Sequence, residues 1–166
     1  MTHTAPRAVA DDVRTVVAAV ADPEIPVLTI DDLGMLRDVR VGEGGGVEVD
    51  LTPTYSGCPA TEAIVADVER ALHEAGHRDV RVRIVLAPAW TTDWMSDEGR
   101  RKLAAYGIAP PGRRAASGPV ALTLTVRCPQ CGSPDTREVS RFGSTACKSL
   151  RVCNACLEPF DEFKAI

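Results

Sequence analysis

Four of the six cysteines stand near the C-terminus in two Cys-x-x-Cys pairs, Cys128 with Cys131 and Cys153 with Cys156. Two such pairs can place four thiolates at the corners of a tetrahedron, which is the coordination that Zn²⁺ accepts. Gly132 follows the first pair, where it permits the tight turn that aims backbone N–H groups at sulfur. A closed set of four cysteines leaves no position for a substrate, so the pattern predicts a structural zinc site.

Three other interpretations of these cysteines stay open. Thiolates also bind iron, as in a rubredoxin-like electron carrier, and free cysteines can simply fill a core. Cys147 lies six residues before Cys153, so it could replace one ligand or lie nearby as a buried or reactive thiol. A segment of about forty residues cannot bury a sufficient core alone, however, so a metal is expected to hold it together.

The sixth cysteine, Cys58, follows Gly57 at the point where the sequence predicts the beginning of a helix. Free N–H groups and the helix dipole at that position would lower the pKa of the thiol, and the resulting thiolate could act as a nucleophile or a soft metal ligand. The alternative is a small buried residue at a helix start. No His–Asp or His–Asn arrangement accompanies Cys58, so no catalytic residue is predicted. His73 and His77 are expected to be solvated.

The elements that position these cysteines follow from the spacing of apolar residues. Valines between positions 9 and 20 have helical spacing, and a second helix is predicted from Cys58-Pro59 to Gly76. Apolar alternation predicts strands at 35–41, 47–51 and 80–86, and a short helix is expected from Ser96 to Tyr106. The order α-β-β-α-β-α predicts an α+β fold, with helices on one face of a three-stranded sheet.

The chain divides, on composition, into two domains and a linker. Residues 8–109 contain a complete helix–sheet pattern, and 110–119 are rich in proline and glycine, as linkers are. Residues 120–166 are predicted to form a zinc ribbon, with a strand over Leu122–Val126 that leads into the first cysteine pair.

Charge and hydropathy argue against several classes of partner. The net charge is −4, the first 118 residues carry 13 basic against 18 acidic side chains, and aromatic residues are only 4%. Nucleic-acid binding is therefore not expected. The apolar stretch 13–21 is interrupted by Arg14 and too short to span a membrane, and no cleavage site follows it. We expect a cytosolic protein without membrane contact, whose cysteines serve as metal ligands or thiols and not as disulfides.

Several motifs resemble those of known families. Asp22-Pro-Glu-Ile-Pro26, Asp32-Leu-Gly34 and the Thr52–Pro59 turn are similar to the domain of SufT-type and MIP18-type iron–sulfur assembly factors. The run Arg141–Lys148, the second cysteine pair and Glu158–Asp161 resemble the PaaD (also called PaaJ) proteins of bacterial phenylacetate degradation. The segment Trp90–Gly99 belongs to the same resemblance, which covers nearly the whole chain.

The resemblance implies an accessory protein of the phenylacetyl-CoA epoxidase, which helps to mature or maintain the iron–sulfur centre of its reductase and performs no oxygenation itself. It marks Cys58 as the contact for a transient [2Fe–2S] cluster or a metallated partner. Because a cluster needs four ligands, a second protomer, a partner or Cys147 must supply the others. Trp90, Asp93 and Trp94 either form an aromatic patch for the target or pack the linker onto the first domain.

Two alternatives to the maturation role stay open: a stable structural subunit of the oxygenase complex, and a rubredoxin-like electron carrier. A catalytic subunit is not expected. The sequence lacks the Glu and Glu-x-x-His helices of a di-iron bundle, and it lacks the glycine fingerprint of a dinucleotide-binding enzyme.

Overall fold

The computed structural model describes residues 6–112 and 125–165. The chain divides into two compact units, one that ends at Trp90 and one that begins at Thr91. No helix in the described part of the chain is long and apolar enough to cross a membrane.

The first unit is a three-stranded sheet with two helices. Its elements are α1 (Pro6–Ala18), β1 (Leu36–Val41), β2 (Val47–Leu51), α2 (Thr61–Glu74) and β3 (Val80–Ile84). Strands β1 and β2 form an antiparallel hairpin, whereas β2 and β3 are parallel and joined through α2. The predicted strands are thus present, and the mixture of helices and small sheets confirms the α+β class.

The two faces of this sheet have opposite character because β2 alternates. Val47, Val49 and Leu51 are buried, and so are the apolar residues of both helices: Val13 and Val17 of α1, and Ile64, Val68 and Leu72 of α2. The other face carries Asp50, which accepts from Arg83 Nε at 2.8 Å and from Arg40 Nη2 at 2.9 Å. These ion pairs lower the pKa of Asp50; the hydrogen bond from Arg83 contributes most.

The described residues of the second unit, 91–112 and 125–165, contain one α-helix and a four-stranded sheet. A 3₁₀ turn at Thr92–Trp94 precedes α3 (Asp97–Ala105), which Ser96 caps, and the strands are β4 (Ile108–Ala109), β5 (Thr136–Ser140), β6 (Lys148–Cys153) and β7 (Pro159–Phe163). The strand order is β4-β7-β6-β5. Strand β4 runs parallel to β7, and the other neighbours are antiparallel.

The boundary between the units lies earlier than the composition predicted. Residues 91–109, assigned from sequence to the first domain, belong to the second unit because Ile108 and Ala109 pair with Asp161 and Glu162 of β7. Of the predicted 110–119 linker, 110–112 are described and 113–119 lie outside the described residues. The strand predicted over Leu122–Val126 also falls largely outside them, and its two described positions, 125 and 126, are not in a strand.

Candidate metal centre and the Cys58 loop

The structure brings the four paired cysteines together. The sulfur atoms of Cys128, Cys131, Cys153 and Cys156 all lie within 4.8 Å of one another. Cys128 Sγ lies 3.7 Å from Cys156 Sγ, and Cys131 Sγ lies 3.6 Å from Cys153 Sγ. Four thiolates at about 2.3 Å from a tetrahedral Zn²⁺ would be separated by about 3.8 Å. The spacing and the donor set therefore both fit a zinc ion.

The two cysteine pairs sit in turns that have the same hydrogen bonds. Cys128 N–H donates to Ser133 O and Cys153 N–H donates to Glu158 O, both at 3.0 Å. The residue after each pair donates back to the first cysteine: Gly132 to Cys128 O at 2.9 Å, and Leu157 to Cys153 O at 3.0 Å. The sequence predicted the ligands, but this symmetry of the two turns is visible only in the structure.

Backbone N–H groups point at the sulfur atoms, as a site for thiolates requires. The N–H groups of Ser133 and Glu158 donate to the sulfurs of Cys131 and Cys156 and act to lower their pKa values. Burial and the neighbouring sulfurs outweigh these bonds, so the pKa of Cys131 is raised and that of Cys156 is raised to about 12. The N–H of Cys156, together with that of Ala155, lowers the pKa of Cys153 to about 7. Hydrogen bonds to the charged form stabilise thiolate, which is the form that binds metal.

The two turns differ at the residue after the second cysteine. Gly132 has φ +72° and Leu157 has φ +64°, so both are in the left-handed region. Glycine adopts this region without strain, whereas a leucine there is uncommon and strained. Leu157 is also 76% exposed. The second turn therefore holds its geometry with a less suitable residue.

Cys147 is not part of the four-cysteine group. It is buried, and its sulfur lies 3.0 Å from the hydroxyl oxygen of Thr145. Within residues 6–112 and 125–165, the group of Cys128, Cys131, Cys153 and Cys156 is the one cluster of three or more side chains able to hold a metal. The alternative in which Cys147 replaces one ligand is not supported by this arrangement.

Cys58 lies in the loop between β2 and α2, ahead of the helix. Helix α2 begins at Thr61, not at Cys58-Pro59 as the sequence predicted. The reason is that two successive turns fold this loop: Cys58 N–H donates to Tyr55 O, and Thr61 N–H donates to Cys58 O, both at 3.2 Å. The first helical bond follows, from Ile64 N–H to Ala60 O.

The expected lowering of the Cys58 pKa is wrong. Partial burial raises the pKa of this thiol, because burial disfavours the thiolate, and the carboxylates of Glu24 and Asp22 raise it further. Hydrogen bonds from the Ala60 N–H and the Thr61 hydroxyl lower the pKa of Cys58, but by less than burial and the carboxylates raise it. Cys58 is therefore a neutral thiol at neutral pH. Sequence reasoning missed the influence of Glu24, although the Asp22–Pro26 motif contains it.

The aspartates of the two N-terminal motifs shape loops. Asp22 Oδ1 accepts the N–H groups of Glu24 and Ile25, each at 2.8 Å. Asp32 Oδ2 accepts the Thr29 N–H at 3.1 Å, and the Asp32 N–H donates to Thr29 Oγ1 at 3.0 Å. Both aspartates are buried. These bonds fix the chain that carries Glu24.

The tryptophan segment is not an exposed aromatic patch. Trp90 is only 4% exposed, and its Nε1 donates to Leu33 O at 2.8 Å, so the packing alternative describes this residue. Trp94 is half-buried and Asp93 is exposed. His77 is half-buried and His73 is exposed, and neither belongs to the metal-binding group.

Two family models match different parts of the chain. Residues 113–164 match the PaaD zinc beta ribbon domain, and residues 10–84 match a model described as iron–sulfur cluster assembly protein. A relative from Escherichia coli K12, named as a putative subunit of 1,2-phenylacetyl-CoA epoxidase, is 48% identical over 93% of this chain and 92% of its own length. The iron–sulfur protein maturation auxiliary factor SufT of Staphylococcus aureus is 40% identical over 46% of this chain and 88% of its own.

Solved structures match the N-terminal part. A domain of unknown function from Bacillus anthracis has a TM-score of 0.55 and 29% identity, and the match covers 59% of this chain and 93% of that one. A conserved hypothetical protein from Thermotoga maritima has a TM-score of 0.50 and 30% identity, over 62% of this chain and 98% of its own.

Proposed function

Because this chain belongs to the PaaD family, we propose that it is a non-catalytic maturation factor for the iron–sulfur centre of a phenylacetyl-CoA epoxidase. One observation carries the proposal: an iron–sulfur assembly module over residues 10–84 is joined in one chain to a zinc-ribbon module over 113–164. Near relatives of the first module are named maturation factors, and a relative of the whole chain is named as part of the epoxidase. A maturation factor dedicated to that enzyme accounts for both names.

The four paired cysteines hold a structural Zn²⁺ in this proposal. Cys128, Cys131, Cys153 and Cys156 supply all four ligands, so no coordination position remains for a substrate. Backbone N–H groups stabilise the thiolate most clearly at Cys153, whose pKa is lowered to about 7. The metal ties β6, which ends at Cys153, to the turn that precedes β5.

Cys58 is the contact for the cargo, a [2Fe–2S] cluster or its iron. The raised pKa keeps the thiol protonated at rest, and the proton leaves when the sulfur binds metal. Such a ligand binds weakly compared with a preformed thiolate, which suits transfer better than storage. Because four ligands hold a cluster, a second protomer or the recipient protein must supply the remainder. The recipient in this proposal is the reductase, which carries the [2Fe–2S] centre.

The name of the Escherichia coli relative favours a second candidate, a stable structural subunit of the oxygenase complex. Co-purification separates the two functions. A stoichiometric complex that survives gel filtration supports a structural subunit, whereas transient association supports a maturation factor. A rubredoxin-like carrier would be coloured by iron, and anaerobic analysis of metal and acid-labile sulfide tests it directly.

The replacement Cys58→Ser tests the maturation role. It changes one atom in a half-buried side chain and should leave the fold and the zinc content intact. We expect cells that carry it to accumulate reductase with a depleted [2Fe–2S] centre and to grow poorly on phenylacetate. The oxygenase should remain active with reductase matured elsewhere.

Cys147→Ser is the matched control, because Cys147 is the other cysteine outside the metal-binding group. It should support a fully loaded reductase. Normal loading by the Cys58→Ser chain would show that Cys58 is only a packing residue.

A further inference from the structure

The turn between β5 and β6 exposes an aromatic side chain that the proposed function does not use. Phe142 is 69% exposed, and it belongs to the run Arg141–Lys148. A single exposed apolar side chain is normal on a protein surface, so Phe142 is informative only together with the groups around it.

The backbone of Phe142 is held in place on both sides. The Ser140 hydroxyl accepts the Phe142 N–H at 3.2 Å and donates to the Phe142 carbonyl at 2.9 Å. The next residue, Gly143, donates its N–H to Lys148 O at 2.8 Å. A Cβ on Gly143 would lie 2.8 Å from Asp161 Oδ1 and 3.2 Å from Lys148 Cβ, so a side chain there would require these neighbours to shift. The ring is therefore exposed on a fixed turn.

One basic group lies over the ring, and two further arginines lie in the adjoining chain. Lys164 Nζ lies 4.9 Å from the Phe142 ring centroid and donates to Arg141 O at 3.2 Å. Arg137 and Arg141 are exposed, and no carboxylate in the described ranges 6–112 and 125–165 pairs with either. Glu138 is the exposed carboxylate of the same strand, so cations are in excess.

The adjacent strand adds a second exposed apolar group. Strand β5 is at the edge of its sheet, and its pairing with β6 shifts between Glu138 and Ser140, so Val139 is the extra residue of a bulge. Bulges re-aim side chains, and Val139 is 52% exposed. We call Arg137, Val139, Arg141, Phe142 and Lys164 the Phe142 patch.

We propose that the Phe142 patch is the docking surface for a protein partner that offers an apolar pocket flanked by carboxylates. The aromatic ring enters the pocket and the three cations pair with the carboxylates. Aromatic and arginine side chains that are fixed before binding are the usual anchors of protein interfaces. A nucleic acid fits less well, because the patch has few cations and the chain is acidic overall. The identity of the partner rests on the proposed function, which makes it the iron–sulfur reductase of the epoxidase.

The test measures the affinity of the full-length, zinc-loaded chain for the purified reductase by calorimetry at low and high salt. Phe142→Ala should weaken binding by about tenfold or more, as loss of a central anchor does. Arg141→Glu should weaken it and reduce its dependence on salt. Tyr106→Ala is the matched control, since Tyr106 is an exposed aromatic residue of the same unit outside the patch. Zinc content and melting temperature verify that each variant folds.

The outcomes separate docking from cluster transfer. Two results would show that the patch is not the docking surface for the reductase: no binding by the wild type, or binding by Phe142→Ala that equals that of the wild type. Loss of binding to single-stranded RNA in Phe142→Ala would show instead that the patch binds a nucleic acid. Cys58→Ser should leave the reductase unloaded. Normal loading by Cys58→Ser with weak binding by Phe142→Ala would overturn the role of Cys58 and leave the docking surface intact.

Discussion

Both units of this chain bury apolar residues, including Ile108, Phe160 and Phe163 in the second, but they differ in the environment that they give to their cysteines. The first buries alternating valines and leucines of its sheet and helices, and it leaves Cys58 as a protonated thiol beside Glu24 and Asp22. The second gathers four cysteines within 4.8 Å and surrounds their sulfurs with backbone N–H groups. A unit that folds without a metal can leave a thiol available for reversible metal binding. A unit whose folding depends on a metal must keep that metal bound.

Loss of the metal should have the largest effect, and it should affect the second unit and not the first. Cys131→Ser, or removal of zinc by a chelator, should unfold the second unit and leave the first folded. The reason is that metal-binding free energy, roughly 10 kcal/mol or more in zinc-finger peptides, is folding free energy in such units. Elemental analysis and circular dichroism measure both effects. Retention of one tightly bound zinc and of the ribbon strands in the variant would contradict the assignment, and Cys147→Ser should behave like the wild type.

Truncation tests whether the first unit needs only its own core. A chain that ends at Trp90 should unfold cooperatively, because the apolar core and the Trp90–Leu33 hydrogen bond both lie within it. A chain that ends at Ala89 is the matched comparison, and it should be less stable by about 3 to 5 kcal/mol, as for removal of a buried tryptophan. Thermal unfolding measures the difference. Disorder of the longer chain would mean that the first unit requires residues beyond 90.

The ion pairs of the first sheet should give the first unit a pH dependence of its own, which a chain that ends at Trp90 reports without the metal site. The pKa of Asp50 is lowered in the folded state by Arg83 and Arg40, so its contribution to stability is present above its unfolded pKa and is lost as pH falls through the lower folded value. Asp50→Asn should therefore reduce the free energy of unfolding at pH 7 and change it less in strong acid. Denaturant unfolding of the Trp90-ended chain at both pH values measures this. An equal effect at both would show that the charge is unimportant.

The smallest expected effect concerns the difference between the two cysteine turns of the metal site. Leu157→Gly would give the second turn the same residue as the first at a positive φ, and it should stabilise the zinc-bound unit by about 1 kcal/mol. Competition with a chromophoric chelator measures the change in zinc affinity. Gly132→Ala is the reverse test and should weaken zinc binding. A loss of affinity in Leu157→Gly would mean that the leucine side chain supports the site.

The sequence predicted best what depends on neighbouring residues. Alternation located β2 and β3, and the Cys-x-x-Cys spacing identified the four residues that the structure brings together. The α+β fold class is confirmed. The start of α2 was placed too early, because Pro59 favours a first helical turn and the turn bonds of 55–61 have no comparable signature. The raised pKa of Cys58 depends first on partial burial and then on Glu24, which is distant in sequence, so neither cause is visible in the local pattern.

The boundary between the two compact units is not apparent from the sequence for a related reason. Strand β4 has only two residues, and its partner β7 follows about fifty residues later in the chain, so no local pattern reveals the pairing. The predicted linker begins directly after β4, and its described residues 110–112 are not in a strand. Whether the two units fold independently stays a prediction.

Because β4 pairs with β7, loss of the metal would affect elements that lie outside the two cysteine turns. Strand β7 begins three residues after Cys156, and β4 begins three residues after the end of α3. Loss of zinc would therefore release β7, then β4, and then the helix that precedes it. If the proposed zinc is bound, zinc starvation would present proteases with an unfolded tail from residue 91 onward, and the abundance of the protein would follow the supply of that metal.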